Sequence, residues 1–427
     1  MTNRHALYRD HPTHASKLPR GRSWPTRIGI AILAFAVFLV TAGILFYQDL
    51  NNSLNVAGGR GGFLPYDHYA GRAVNVLVLG SDTRSGKSGE GEDTGVEGMR
   101  SDTMMIAHIA KDRKSVSVIS IPRDTMVDLP SCKTEGGGET EESFGQVNSA
   151  FSEAAGNSDT VAGIECAKKT VEANTGVRID EYVLADFNGF SSMVDSLGGL
   201  KLWLDEDISD EQAHIDLKKG CNHLNGKASV GYARLRYIGD GSDLSRIQRQ
   251  QRLLGIMIRT ALKKNLLTDL SSLYGFTKAG LSSLTVSSGF SSLAALGGFG
   301  NSLRSIDPAN VRFATAPNEP YPLDPDRVIF SDQAQQVWEA LIKDTDLPTG
   351  LSVRDGNSNT YVIQPPAPKQ TPKKEESAKP EPAPSSSEPE PTESESTPSE
   401  TPTTETSSPV GAAVEDSNKA AQEKCEP

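Results

Sequence analysis

Residues 28–47, IGIAILAFAVFLVTAGILFY, run twenty positions without a charge. At about 1.5 Å per helical residue this reaches roughly 30 Å, the depth of a bilayer's hydrocarbon core. A cleaved signal peptide would have a shorter apolar region and a small-residue cleavage site, and no A-x-A site follows cleanly here. The expectation is therefore an uncleaved, single-pass transmembrane helix over 28–47. Arg4, Arg9, Lys17, Arg20, Arg22 and Arg27 precede it, and Asp49 is the first charge after it. The positive-inside rule then puts residues 1–27, a disordered polar tail, in the cytoplasm and the rest of the chain outside the cell membrane.

The net charge of −12 misleads as an average, because Glu is concentrated after residue 374 while the first 27 residues are basic. Residues 349–427 are rich in Pro, Ser, Thr and Glu and lack the apolar area that folding needs. They read as a disordered tail, an extended stalk able to thread a cell wall. Residues 48–71 read as a Gly- and Asn-rich linker, which leaves 72–348 as one folded extracellular domain. Four cysteines form no CxxC pair and sit among few histidines, which argues against a zinc site.

Within 72–348, short β-branched runs alternate with helical patterns, as in an α/β fold. Ala73–Leu79 reads as a buried strand ending in Gly80-Ser81-Asp82-Thr83-Arg84. Arg100-Ser101-Asp102 opens a strand over Thr103–Ile109. A strand over Ser115–Ile121 ends in Pro122-Arg123-Asp124-Thr125. Helices are expected over 144–155, 160–174 and 187–197, strands over 177–186 and 200–204, and a long amphipathic helix over 244–265. Val311–Ala316 reads as a last strand and Asp332–Lys343 as a closing helix. Three strands thus place an Arg, usually with an Asp, at a strand end, where α/β sheets bind ligands.

The segment 232–252, YARLRYIGDGSDLSRIQRQQR, adds more cations. Arg234 and Arg236 would face the same way on an extended segment. After a Gly-Asp-Gly-Ser-Asp turn, Ser242 or Asp243 can cap a helix carrying Arg246, Arg249 and Gln250. A cation in the first helical turn opposes the helix dipole unless an anion binds there too. Guanidiniums converging on a helix N-terminus form a cradle for phosphate or pyrophosphate. The bland alternative is a solvated basic face with Asp243 pairing an Arg. Nucleic-acid contact, suggested by the nearby Tyr232 and Tyr237, does not suit a domain outside the membrane.

Taken in order, NVLVLGSDTR, RSDTM, SIPRDT, QVNSAF, DFNGF, VDSLGG and LNGKASVGYARLRY followed by GDGSDLSRIQRQQ span roughly residues 73–345, and this set resembles the LytR-CpsA-Psr (LCP) family. The style of the chain, Gly- and Pro-rich with several cysteines, suggests an actinobacterial wall. The resemblance implies an LCP-type αβα sandwich around a mixed β-sheet, with a deep hydrophobic groove for a polyprenyl lipid. It also implies a phosphotransferase of cell-wall biogenesis. Such an enzyme moves a glycopolymer from a polyprenyl-pyrophosphate carrier to a peptidoglycan hydroxyl through a phosphodiester link. By similarity Asp82 and Asp102 would hold Mg²⁺, with Mn²⁺ as a substitute. Arg100, Arg123, Arg234, Arg236, Arg246 and Gln250 would hold the pyrophosphate, with Asp243 orienting arginines and Arg84 contributing to substrate binding.

The residue types suit that chemistry independently. Attack on a pyrophosphate phosphorus needs charge neutralised on non-bridging and leaving oxygens, which arginines and a metal supply. Mg²⁺ takes oxygen ligands and keeps waters and substrate phosphates, so two carboxylates suffice. No histidine is placed as a base: His68 and His108 lie outside the clusters, and His108, inside a strand, reads as structural. Asp82 or Asp102 could accept the acceptor proton, although a metal-bound carboxylate is a poor base. Two alternatives share these residues: a polyprenyl-pyrophosphate phosphatase using water, and a non-catalytic scaffold binding anionic polymer. Carboxylates inside the site argue against the scaffold. Arg259, outside the cradle, is expected to matter little. Cys132 and Cys166 flank the 135–165 segment and are expected to pair. Four cysteines allow three complete pairings, and Cys221 could be free.

Overall fold

The computed structural model describes residues 24–56, 69–81, 101–134, 136–156, 158–211, 213–235, 242–263 and 270–365, together with residues 422 and 425. It divides into two units, residues 1–52 and 53–427. The first is a helix, α1 (Trp24–Asn52). Within α1, Ile32–Asn52 is long and apolar enough to cross a membrane, and large apolar side chains from Ile32 to Tyr47 lie exposed. The helix thus starts before and ends after the expected 28–47, because polar flanks such as Gln48 and Asn51 extend it at no cost in helical hydrogen bonds.

In the second unit the elements run β1 (Asn55–Val56), β2 (Val74–Ser81), β3 (Ser101–Ile109), β4 (Val116–Ile121), β5 (Met126–Leu129), β6 (Ser143–Gln146), α2 (Ser149–Ala155) and α3 (Thr160–Thr175). There follow β7 (Glu181–Asp186), α4 (Phe187–Ser196), β8 (Leu200–Leu204), β9 (Ile208–Asp210), β10 (Ile215–Leu217), β11 (Gly220–Leu224), α5 (Gly226–Arg234) and α6 (Asp243–Lys263). The remainder is α7 (Leu270–Ser283), β12 (Leu284–Val286), α8 (Leu293–Leu303), β13 (Val311–Thr315), β14 (Asn318–Tyr321), β15 (Asp324–Phe330), α9 (Asp332–Lys343), β16 (Ser352–Asp355) and β17 (Thr360–Val362). Nine strands form a mixed sheet in the order β1-β12-β7-β2-β3-β4-β13-β16-β17.

Strand alternation gives this sheet two apolar faces. Leu77, Leu79, Met104, Ile106, Ile119 and Ile121 point to one face, into a core with Phe151 of α2, Ile164 of α3 and Trp338 of α9. Met105, Val118 and Phe313 point to the other, against Leu254 and Ile258 of α6. The result is the expected αβα sandwich. A second core joins Leu197, Leu200, Leu202 and Leu224 to Tyr232 of α5 and to Leu253 and Ile256 of α6. Helix α6 is therefore gripped on two sides, and its N-terminus is fixed with respect to the sheet.

The recurring motifs are joints in this frame. Asp186 caps α4 by accepting from the Gly189 N–H at 2.6 Å. Asn225 caps α5 through the Ala228 N–H at 2.8 Å, while Asp195 accepts from the Gly226 N–H at 2.7 Å. A Cβ on Gly226 would stand 2.1 Å from the Ser191 carbonyl oxygen, so only glycine lets α5 approach α4 this closely.

Several expectations differ from the structure. Residues 143–146 form a strand ahead of α2, because the β5–β6 hairpin claims them. Val311–Thr315 is not the last strand, and the ordered domain does not end at 348. β16 pairs with β13 and β17 with β16, so residues 352–362 extend the sheet instead of starting the tail. At the other end, β1 lies within the expected 48–71 linker and pairs with β12. Residues 1–23 and 366–421 lie outside the described residues. Cys132 is bonded to Cys166, and Cys221, on β11, to Cys425.

Two packing details carry predictions. His108 is buried, with Nδ1 2.7 Å from Asn75 Oδ1 and Nε2 3.1 Å from Asp344 Oδ1. Burial lowers its pKa below the usual 6.5, and the Asp344 and Asp180 carboxylates only partly restore it. The unfolded chain then binds the proton first. Stability is present above pH 6.5 and is lost as pH falls through the lowered native value. Denaturant titrations at a series of pH values should show this loss, and His108→Gln should flatten it. Arg259 is also buried, donating to the Gly356 carbonyl and, at 3.0 Å, to Ser358 Oγ. It clamps the β16–β17 turn onto α6, a structural role that bears on stability and not on transfer. Arg259→Ala should cost about 2–3 kcal/mol in chemical denaturation, while turnover per folded molecule stays close to wild type.

Candidate active site

The sheet register assembles the site. Ser81, at the carboxyl end of β2, pairs with Ser101 at the start of antiparallel β3, and Met104 pairs with Ile121 at the end of β4. Asp102 and Arg123 therefore emerge at one end of the sheet. Helix α6 begins there too. Ser242 Oγ accepts from the Ser245 N–H at 3.2 Å, so Ser242 acts as the cap. Gln251, more than two turns further along, donates to Ser120 Oγ at 2.9 Å and to the Ala314 carbonyl at 3.1 Å. These bonds fasten the helix start to the ends of β4 and β13.

Arg123 is the hub. Its Nη1 donates to Asp102 Oδ1 at 3.1 Å and its Nε to Asp124 Oδ2 at 3.3 Å. Nε also lies 3.4 Å from Asp243 Oδ1, and the Arg123 backbone N–H donates to Asp243 Oδ2 at 3.3 Å. Asp243 pairs one helical turn on with Arg246, whose Nη2 also donates to the Asp102 carbonyl at 3.2 Å. Gln250 joins through its Oε1, which accepts from Thr103 Oγ1 at 3.2 Å. Burial pulls the Arg123 pKa down, but Asp124, Asp243 and Asp102 outweigh it and hold it above the ordinary value. Burial pushes the Asp243 carboxyl up, and Arg246 and Arg123 only partly offset this.

The network thus brings together Asp102, Arg123, Asp243, Arg246 and Gln250. Arg234 differs from expectation. It closes α5 instead of lying on an extended segment, and its guanidinium sits 5.1 Å over the Phe187 ring. Phe187 follows Asp186, which pairs with Ser81, so Arg234 stands at the same end of the sheet. Asp82, Arg84, Arg100 and Arg236 lie outside the described residues. Arg249 is a strut, donating to the Leu235 carbonyl at 2.6 Å. Sequence reasoning missed Asp124, although the Arg-Asp pair at the end of β4 pointed to it. It also missed Arg327 on β15, whose Nη1 donates to Asp124 Oδ1 at 2.9 Å. No local signal around Arg327 marks it.

The donor set suits a hard divalent cation in kind. Asp102 is partly exposed and commits only Oδ1 to Arg123, which leaves Oδ2 without a partner among the described residues. Those residues contain no cluster of three acidic, His or Cys side chains able to ligate a metal by themselves. A metal here would take its remaining ligands from water and phosphate, as Mg²⁺ does.

Arg and Asp side chains thus gather at strand ends beside the capped start of α6, the end of the sheet where α/β domains hold ligands. The model of the LytR_cpsA_psr family matches residues 54–345, and the chain belongs to that family. Among curated relatives, "Probable cell wall biosynthesis protein LcpB" of Corynebacterium glutamicum is 34% identical over 195 residues, 44% of this chain and 42% of that protein. Its actinobacterial source agrees with the one suggested by the sequence. The polyisoprenyl-teichoic acid--peptidoglycan teichoic acid transferase TagV of Bacillus subtilis is 31% identical over 192 residues, 44% of this chain and 43% of that protein. The chain thus spans less than half the length of these two relatives. The crystal structure of protein gbs0355 from Streptococcus agalactiae superposes with a TM-score of 0.50 at 19% identity, covering 65% of this chain and 90% of that one, a likeness of fold.

Proposed function

We propose that the protein is a membrane-anchored phosphotransferase that moves a glycopolymer from a polyprenyl-pyrophosphate carrier onto peptidoglycan. The observation that carries this reading is the Asp102–Arg123–Asp243–Arg246 network at the start of α6. The acceptor hydroxyl oxygen forms a bond to the glycan-bearing phosphorus and gives up its proton to the leaving phosphate or to water, while the bond from that phosphorus to the bridging oxygen breaks. Polyprenyl phosphate leaves. Arg123 and Arg246 neutralise oxygens on which charge grows, an effect that strengthens from ground state to transition state. Asp243, held by both arginines and by the Arg123 backbone, fixes their orientation. Arg234, Gln250 and the expected Arg84, Arg100 and Arg236 complete the pyrophosphate cradle. Asp102, with Asp82, would hold Mg²⁺ or Mn²⁺, which when bound supplies Lewis-acid neutralisation of phosphate charge.

The sheet face under α6 supports a lipid carrier. Val78 and Ala107 share that face with Thr103 and are only partly buried, as are Leu254 and Ile258 above them. Partly buried apolar side chains therefore line this face beyond the network. The helix Ile32–Asn52 would anchor the domain where such a carrier resides, with residues 1–27 cytoplasmic and the domain extracellular. The test is to incubate detergent-solubilised protein with a short polyprenyl-pyrophosphate glycan and un-crosslinked glycan strands. Glycan should appear in the peptidoglycan fraction, be lost with EDTA and return with Mg²⁺ or Mn²⁺. Undiminished transfer in EDTA would remove the metal from the account.

A further inference from the structure

Beyond Arg123 the polar network runs on to an exposed surface. Asp124 links Arg123 to Arg327, and with the Gln146 amide turned so that its oxygen faces Arg327, that oxygen accepts from the guanidinium at 2.8 Å. Gln146 and Phe144 are two apart on β6 and so share a face. Phe144 is 51% exposed, and its ring centroid lies 5.9 Å from that of Tyr321 on β14, tilted by 48°. The two hairpins that carry these rings stand outside the nine-stranded sheet and meet where Thr125 bridges to Val328. An exposed Phe ring against a half-buried Tyr ring, beside an amide and a guanidinium, suits one ligand chemistry well. Ring faces pack on the apolar C–H face of a sugar, while the polar groups bond its hydroxyls and substituents.

We propose that Phe144, Tyr321, Gln146 and Arg327 form a subsite for a sugar ring of the acceptor glycan. This rests on the reading of peptidoglycan as acceptor. Topology favours the acceptor over the lipid-linked donor. β5 and β6 lie on the sheet face of the first core, through Val127, Leu129 and Val147, whereas the partly buried apolar side chains under α6 lie on the opposite face. Donor tail and acceptor would then approach the Arg123 hub from opposite sides. The acidic groups at the patch, Asp124 and Asp324, both within reach of Arg327, suit a glycan better than an anionic membrane surface.

The test is titration of the full chain in detergent with a soluble peptidoglycan fragment of two disaccharide–peptide units, without lipid. Phe144→Ala and Tyr321→Ala should each weaken binding about tenfold, and Phe144→Trp should retain it, with melting temperatures reported for all three. If the wild type binds the fragment and neither alanine variant differs from it, the subsite is wrong while the acceptor reading stands. If the wild type does not bind, the acceptor reading fails and the subsite with it. In proteoliposomes, brominated lipid quenching Phe144→Trp emission beyond the wild-type level would put the rings in the bilayer and overturn the assignment.

Discussion

Replacing Arg123 with alanine is expected to lower kcat/KM for glycopolymer transfer by about a thousandfold, roughly 4 kcal/mol of transition-state stabilisation. The size of the effect follows from its position. One guanidinium serves Asp102, Asp124 and Asp243 at once, so its removal takes a cation from the reacting phosphate and leaves three carboxylates facing one another. Breaking a partly buried pair from one side also destabilises the fold, by up to about 3–5 kcal/mol where burial is complete and less here, where Arg123 is 25% exposed. Arg123→Lys separates the two effects. It keeps the charge near the carboxylates but cannot bond Asp102 and Asp124 together from one planar fork. It should melt close to wild type and still lose most of the transfer. An Arg123→Ala protein that folds and transfers at the wild-type rate would mean the hub is structural only.

A large stability effect is expected at Cys132–Cys166, which joins the end of the β5 segment to α3 across a separation of 34 residues. In the chain-entropy account, closing a loop of that length contributes about 4 kcal/mol. Cys132→Ser with Cys166→Ser should therefore lower the denaturant midpoint markedly without changing the chemistry, since neither sulfur touches the network. Both cysteines are buried in the core beside Ala167 and Val171, so two serines also place hydroxyls in an apolar setting. Cys132→Ala with Cys166→Ala isolates the contribution of the cross-link. An unchanged midpoint in the alanine pair would show that this bond adds nothing to the folded state.

Much of this molecule could be read directly from the chain. The uncharged run announced α1, and the apolar runs bordered by Arg and Asp announced β2, β3 and β4, because buried strands and polar strand ends are local features. The hub itself was visible as SIPRDT and RSDTM, since antiparallel β3 brings Asp102 beside the end of β4. Long-range pairing was not visible. β14 and β15 are interrupted by Pro320 and Pro325 and read as loop, which concealed Arg327. β16 and β17 are three to four residues long and show no apolar alternation, so they were assigned to the tail. The structural role of Arg259 is not legible locally, because its partners, Gly356 and Ser358, are distant in sequence. Arg234 and Arg236 were read as one extended pair, although α5 runs through Arg234. The partner of Cys221 was also beyond sequence reasoning, because Cys425 follows a long stretch of low-complexity chain.

The most direct test of the central claim is the mass of the product formed when the full chain, Mg²⁺, a polyprenyl-pyrophosphate glycan of defined length and un-crosslinked peptidoglycan oligomers are combined. The account predicts a conjugate in which glycan and peptidoglycan are joined through a single phosphorus, with polyprenyl phosphate released in equal amount and both products absent with Arg123→Ala. Polyprenyl phosphate accompanied only by free phosphorylated glycan, with acceptor present in excess, would contradict it and identify a hydrolase.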